Sequence, residues 1–215
     1  MVVSESSARR YALDPDVRLM LEVRDGSAAA FEELVLRYQA RLVRVLEHLV
    51  GNRDLAEDLA QEVFLRVYRS RQQYQPGAKF ATWLFTIANN TASNALRNRS
   101  RRREVTLGTG DSGPLGARPL DRIVQASSGA MPARQIDKAE MREIVRLALE
   151  TLSERQRLAV LLNKFEGMSY ADIAQSMDLS PQAIKSLLSR ARENLREVLE
   201  PYLAEGTRPV AGKGD

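Results

Sequence analysis

Apolar residues recur at three- and four-residue spacing along most of the chain, and no stretch alternates with a period of two for long enough to read as a strand. The pattern predicts helices over 16–24, 27–50, 54–72 and 79–98, and again over 137–151, 154–166, 170–177 and 181–203. Both halves therefore read as small all-α bundles. Between them, residues 104–135 hold five of the twelve glycines and three of the eight prolines and show no period. That length exceeds an ordinary loop inside a compact domain, so it reads as a flexible linker. The expected organisation is a flexible N-terminus (1–15), a helical domain (16–103), a linker (104–135), a second helical domain (136–203) and a fraying tail (204–215).

In the second half, Ser169 and Asp172 have the spacing of a capping box, which starts a helix at Tyr170 that carries Ile173, Ala174 and Met177 inward. Ser180-Pro181 supplies the next N-cap with proline at the first helical position. In the helix that follows, Ile184, Leu187, Leu188, Ala191 and Leu195 share one face. Gln182, Lys185, Ser186, Ser189, Arg190, Glu193 and Arg196 lie outside it. A short helix, a tight turn and a helix with a donor-rich outer face have the form of a helix-turn-helix, whose second helix enters the major groove. The same spacing also fits an ordinary helical hairpin with a solvated face.

In the first half, the helix from Asp54 to Arg71 turns Leu55, Leu59, Val63 and Val67 inward, with Ala56, Ala60, Phe64 and Tyr68 beside them. Its other face presents Asp54, Glu57, Asp58, Gln61, Glu62, Leu65, Arg66 and Arg69. Such a cluster of carboxylates suits a basic partner, and equally suits a solvated first turn placed on the helix dipole. The next helix turns Phe80, Leu84, Ile87, Thr91 and Ala95 inward with Trp83 and Ala88 at the margin, Trp83 being by default a core residue. Thr82, Phe85, Thr86, Asn89, Asn90, Ser93 and Arg97 are expected outside. Amides, hydroxyls and an aromatic ahead of Arg97, Arg99, Arg101, Arg102 and Arg103 suit single-stranded nucleic acid, because rings stack on bases and arginines meet phosphates. An arginine run at a helix end also serves as a dipole complement.

Composition narrows the function. Cysteine is absent and His48 is the one histidine, which argues together against disulfide frameworks, thiol nucleophiles, Cys/His zinc sites and Ser-His-Asp triads. Most enzyme chemistry goes with them, and neither a metal nor a cofactor is expected. The longest apolar run, Leu158 to Leu162, is far short of the ~20 residues of a membrane span, and the first residues have no signal-like apolar core. A cytoplasmic chain with no membrane insertion is expected. The net charge of +4 and the pI near 9.6 fit an anionic partner.

The motifs resemble those of the extracytoplasmic-function (ECF) sigma factors of the sigma-70 family. FEELVLRYQARLVRVLEHLVGNRDLAEDLAQEVFLRVYRS with FATWLFTIANNTASNALRNRSRR is similar to region 2 of that family. LETLSERQRLAVLLNKFEGMSYADIAQSMDLSPQAIKSLLSRARENLREVL is similar to its region 4, a helix-turn-helix domain. The resemblance implies a transcription initiation factor that binds core RNA polymerase, directs it to promoters and helps melt DNA, leaving catalysis to the polymerase. It further implies that Asp54, Glu57, Asp58, Gln61, Glu62 and Leu65 dock on the β′ clamp coiled coil, and that the β flap is a second contact on polymerase. Thr86, Asn89, Asn90 and Asn94, with the loop Gln75 to Lys79 and the basic run Arg97, Arg99, Arg101 and Arg102, would meet the minus-ten element. Asn90 would hold an unpaired base. Gln182, Lys185, Ser186, Ser189, Arg190 and Arg192 would lie at the minus-thirty-five element, and the linker would thread near the polymerase cleft. Leu187 departs from the family pattern, in which many members carry a basic residue there. Many members are held inactive by an anti-sigma factor, which adds a candidate partner. Two other classes remain: a stand-alone helix-turn-helix regulator, which leaves the acidic and Asn-rich helices without a task, and a protein that sequesters a basic partner, which leaves the arginine run unexplained.

Overall fold

The computed structural model describes residues 14–107 and 138–206, the side chains of 100, 102–107, 138–140 and 201–206 excepted. Most of the expected linker and the outer parts of both termini lie outside the described residues. Every regular element among those residues is helical. The helices are α1 (Pro15–Arg24), α2 (Ala28–Val50), α3 (Arg53–Arg69), α4 (Phe80–Leu107), α5 (Lys138–Glu150), α6 (Glu154–Lys164), α7 (Tyr170–Met177) and α8 (Pro181–Gly206), with one 3-10 turn at Arg71–Gln73. α4 continues past the predicted start of the linker, and α8 continues into the predicted tail.

Local chemistry sets most of the starts and stops. Asp14 caps α1 by accepting from the amides of Asp16 and Val17, at 3.0 and 3.3 Å, with Pro15 at the first helical position. Ser27 and Asn52 cap α2 and α3 through the Ala30 and Leu55 amides, at 3.2 and 2.7 Å. Each such cap contributes about 1 kcal/mol. α2 ends where Gly51 turns left-handed at φ 68°, sending its N–H back to the Glu47 carbonyl at 2.8 Å. The capping box at α7 is formed in both directions: Asp172 N–H donates to Ser169 Oγ, and Ser169 N–H donates to the Asp172 carboxylate. The turn from α7 to α8 passes through Asp178 at φ 52°, a left-handed conformation that a short polar side chain tolerates. Ser180 then caps α8 through the Ala183 amide at 3.1 Å.

Contacts group the chain into two compact units. The first combines α1 to α4 with residues 158–185. Its interior holds Val17 and Met20 of α1, Leu34, Tyr38, Leu42 and Leu46 of α2, Ala56, Ala60, Val63 and Val67 of α3, and Phe80, Leu84 and Ala88 of α4. Tyr38 stands edge-on to Phe80 at 5.1 Å and donates its hydroxyl proton to Asp16 at 2.6 Å, tying α2 to α1. Burial, then that hydrogen bond, raises the Tyr38 pKa well above the usual tyrosine range. Trp83 is half-buried, with its ring centroid 4.9 Å from Tyr74 and 6.2 Å from Phe80. This agrees with its place at the margin of the α4 core.

α7 lies against α4 in this unit, and there the one-face reading of α4 fails. Thr82 and Phe85, expected outside, are each 1% exposed. On α7, Asp172 and Ser176 are buried beside Ile173 and Ala174, whereas Met177 is half-buried. The reason is that α4 is covered on two sides, and a single apolar stripe records one. In the opposite sense, Leu55, Leu59, Ile87 and Ala95, expected inside, are half-buried, and Tyr68 is 41% exposed.

The second unit contains α5, the start of α6 and the part of α8 from Ser186. Its buried residues include Ile144, Leu147, Ala148, Leu149 and Leu152 with Leu188 and Ala191. Arg157 closes the end of α5, donating to the Glu150 and Leu152 carbonyls at 3.0 and 3.2 Å. A cation there meets the negative end of the helix, although burial lowers its pKa.

Candidate functional site

The polar face of α3 stands in water as its sequence predicts. Asp54, Glu57, Asp58, Gln61 and Leu65 are exposed and Glu62 is half-buried. Glu57 accepts from Arg53 at 2.9 Å and Glu62 from Arg66 at 2.7 Å, both pairs one helical turn apart on α3. Exposed pairs of this kind are worth only about 0.3–0.5 kcal/mol, so either carboxylate can be surrendered cheaply to an incoming cation.

Sequence reasoning missed what lies next to this face. α2 and α3 enclose an open groove of about 800 Å³ with Phe31, Val35 and Phe64 among its lining residues, and with Leu36 and Leu65 on its two helices. Glu57 and Gln61 belong to the same lining, so apolar and acidic surfaces are continuous. Leu36 is 72% exposed and Leu65 is 49% exposed. A signal for Leu36 was present: it is a large apolar residue out of phase with Leu34, Tyr38 and Leu42, which form the buried stripe of α2.

The residues predicted on α4 do not form one patch. Asn90 is exposed and lines a cleft of about 370 Å³ with Arg66, Arg69, Ser70, Gln73 and Ile87. Thr86 and Asn89 belong to the stripe that faces α7: Thr86 donates to the Thr82 carbonyl at 2.7 Å, and the Asn89 amide reaches the Ser176 carbonyl at 3.5 Å. Further along, Asn94 accepts from Arg97 at 2.9 Å, and Arg99 and Arg101 are exposed. Arg102 and Arg103 lie on α4 with side chains outside the described set. In the preceding loop, Gln75 and Lys79 are exposed and Ala78 is buried.

On α8 the outward row stands in water as predicted, and the inward row is buried except at Leu187 and Leu195. Ile184, Leu188 and Ala191 are buried, Leu187 is half-buried, and Gln182, Lys185, Ser186, Ser189, Arg190 and Arg192 are all exposed. Arg192 also donates to the Leu188 carbonyl at 3.1 Å. Among the described residues no group of three or more His, Cys, Asp or Glu side chains is placed to hold a metal ion. No described helix is long and apolar enough to cross a membrane.

An all-helical chain with an apolar groove beside an acidic helix face, an Asn-lined cleft ahead of arginines and a cationic helix-turn-helix face matches known proteins over nearly its whole length. Residues 34–102 match the family Sigma-70 region 2, and residues 142–195 match Sigma-70, region 4. The chain is 34% identical over 194 residues to the RNA polymerase sigma-H factor of Pseudomonas aeruginosa, covering 89% of this chain and 97% of that protein. It is 37% identical over 180 residues to the RNA polymerase sigma factor CarQ of Myxococcus xanthus, covering 84% and 95%. Among solved structures, the sigma factor RpoE of Bartonella quintana, in complex with the anti-sigma factor NepR, superposes with a TM-score of 0.61 at 28% identity, covering 79% of this chain and 96% of that one.

The chain belongs to the sigma-70 family, in its ECF group. It is a transcription initiation factor, and its partners are core RNA polymerase and promoter DNA.

Proposed function

We propose that residues 16–103 dock on core polymerase and handle the minus-ten element, that residues 136–203 read the minus-thirty-five element, and that 104–135 links the two. The observation that carries the docking role is the α2–α3 groove, whose apolar lining runs into the acidic face of α3. A partner helix with an apolar ridge and flanking cations fits both parts at once, and the β′ clamp coiled coil is the partner that the family resemblance assigns to Asp54, Glu57, Asp58, Gln61, Glu62 and Leu65. The β flap is a second contact on polymerase on the same basis.

Asn90 is the base-holding residue in this reading. Its cleft is walled by the aliphatic Ile87, amides and two arginines, which suits one unstacked base and its phosphates. Arg97, Arg99, Arg101 and Arg102 continue along the strand. Lys185 and Ser189, one turn apart on the exposed side of α8, approach base edges, while Arg190 and Arg192 meet phosphate. Leu187 is half-buried and carries no charge, so the phosphate contact that a basic residue would make at this position is missing. The chain acts in the cytoplasm, where polymerase works, and catalyses no bond change itself. A partner that covered the α3 face would act as an anti-sigma factor.

Copurification with core polymerase followed by run-off transcription tests the whole reading. Within it, Glu57→Lys with Asp58→Lys should abolish core binding and leave the far-ultraviolet spectrum unchanged, because both side chains are exposed. Unchanged affinity would end the docking assignment.

A further inference from the structure

The α2–α3 groove changes character along its length. Far from the Gly51 turn it is apolar, through Phe31, Val35, Leu36, Phe64 and Leu65. Ala40 of α2 and Ala60 of α3 form its waist, where small side chains let a partner approach closely. At the end nearest the turn the lining is charged, with Arg44 and Glu47 from α2 and Arg53 and Glu57 from α3. Leu36 stands eight residues before Arg44, and Leu65 eight after Glu57. Along either helix the charged end is therefore about 12 Å from the leucines. Within that end the four charges are unevenly matched. The Arg53 guanidinium lies 2.9 Å from Glu57 and 4.0 Å from Glu47, so one cation serves both carboxylates. Arg44 is left over: it is exposed and belongs to no ion pair among the described residues.

Asp54 and Asp58, on the outer face of α3, are the opposite case: exposed carboxylates with no ion pair among the described residues. The surface is therefore bipolar, with a free cation at the turn end of the groove and free carboxylates beside it. A partner cationic throughout would set like charge against Arg44 in the same contact that satisfied Asp54 and Asp58. We propose that Arg44 is a specificity-determining contact for core polymerase, taking a carboxylate on the docked helix about eight residues, or two turns, from the apolar residue that enters between Leu36 and Leu65. This rests on the reading of the α2–α3 groove as the docking site. It adds what the acidic face alone does not supply, a required anion on a partner otherwise recognised by its cations. The pairing also fixes which way the partner helix runs, since a reversed helix would carry its carboxylate to the apolar end of the groove, where no charge meets it.

Arg44 is exposed, so its replacement in the full-length chain should leave the unfolding temperature unchanged. In competition against labelled parent protein for core polymerase, Arg44→Gln should weaken binding about three- to tenfold at low ionic strength, mostly through slower association. Arg44→Glu should weaken it further. Arg44→Lys should stay within about twofold of the parent, because an exposed pair depends on the charge more than on its shape. The deficit of Arg44→Gln should shrink as salt is raised, since salt screens exposed charges. Tighter binding by Arg44→Gln would show that the turn end meets a cation, and equal binding that it meets no charge; either overturns the Arg44 contact and leaves the groove as the docking site. A loss that salt does not reduce would assign Arg44 to packing and overturns the contact as well. Unchanged core affinity for Glu57→Lys with Asp58→Lys removes the docking reading, and the Arg44 contact with it.

Discussion

Truncating both leucines of the α2–α3 groove tests docking by area rather than by charge. Burying a leucine side chain from water is worth about 1.5–3 kcal/mol, but only the part still exposed in the free chain can be gained on docking. Leu36 is 72% exposed and Leu65 is 49% exposed. The two therefore have about 1–2 and 0.7–1.5 kcal/mol to contribute. Because they line one groove their effects are coupled, so about 2–3 kcal/mol is expected for Leu36→Ala with Leu65→Ala, or roughly 30- to 150-fold in affinity for core polymerase. The fold should hardly notice: substitutions at exposed positions stay within about 0.5 kcal/mol, and alanine is favourable in both helices. Competition against labelled parent protein for core polymerase measures the first number, and thermal unfolding checks the second. A loss below about threefold, with the unfolding temperature unchanged, would show that the groove lies outside the interface. A loss that comes with a large drop in unfolding temperature would show that the leucines support the fold instead.

Asn90→Ala should impair promoter opening more than promoter binding, since an amide that holds an unstacked base acts once the strands part; equal permanganate footprinting defects on duplex and pre-melted templates would leave Asn90 a merely structural role. Lys185→Ala should cost about 1–3 kcal/mol at particular base pairs if Lys185 reads bases. A uniform loss with the salt slope lowered by about one unit would assign it to phosphate, the behaviour expected of Arg190 and Arg192. At high pH, burial holds the Tyr38 and Tyr74 hydroxyls protonated in the folded state above the ordinary value of 10.0, whereas the unfolded chain ionises near it. Their contribution to stability is fully present below that pH and is lost as pH rises through the folded values. Ultraviolet titration of the parent against Tyr38→Phe and Tyr74→Phe should accordingly show these two hydroxyls ionising only as the fold opens, and ionisation of either while the chain is still folded would refute this.

How far the sequence alone reached is clearest at α8 and α3. Spacing alone places Gln182, Lys185, Ser186, Ser189, Arg190, Glu193 and Arg196 on the water side, and likewise Asp54, Glu57, Asp58 and Gln61, because each of those faces has one buried side and one wet side. The caps at Ser169 and Ser180 were equally legible, since the groups that make them are neighbours along the chain. Family membership rode on the same local motifs. Tertiary structure alone decided that Thr82, Phe85, Asp172 and Ser176 are buried, that Leu36 and Leu65 share a groove, and that Asn90 lies apart from Thr86 and Asn89. Periodicity separates apolar from polar, and so it registers a threonine facing a carboxylate as it registers a threonine facing water. Which of the two it meets depends on a helix 90 residues further along the chain, and no local pattern carries that information.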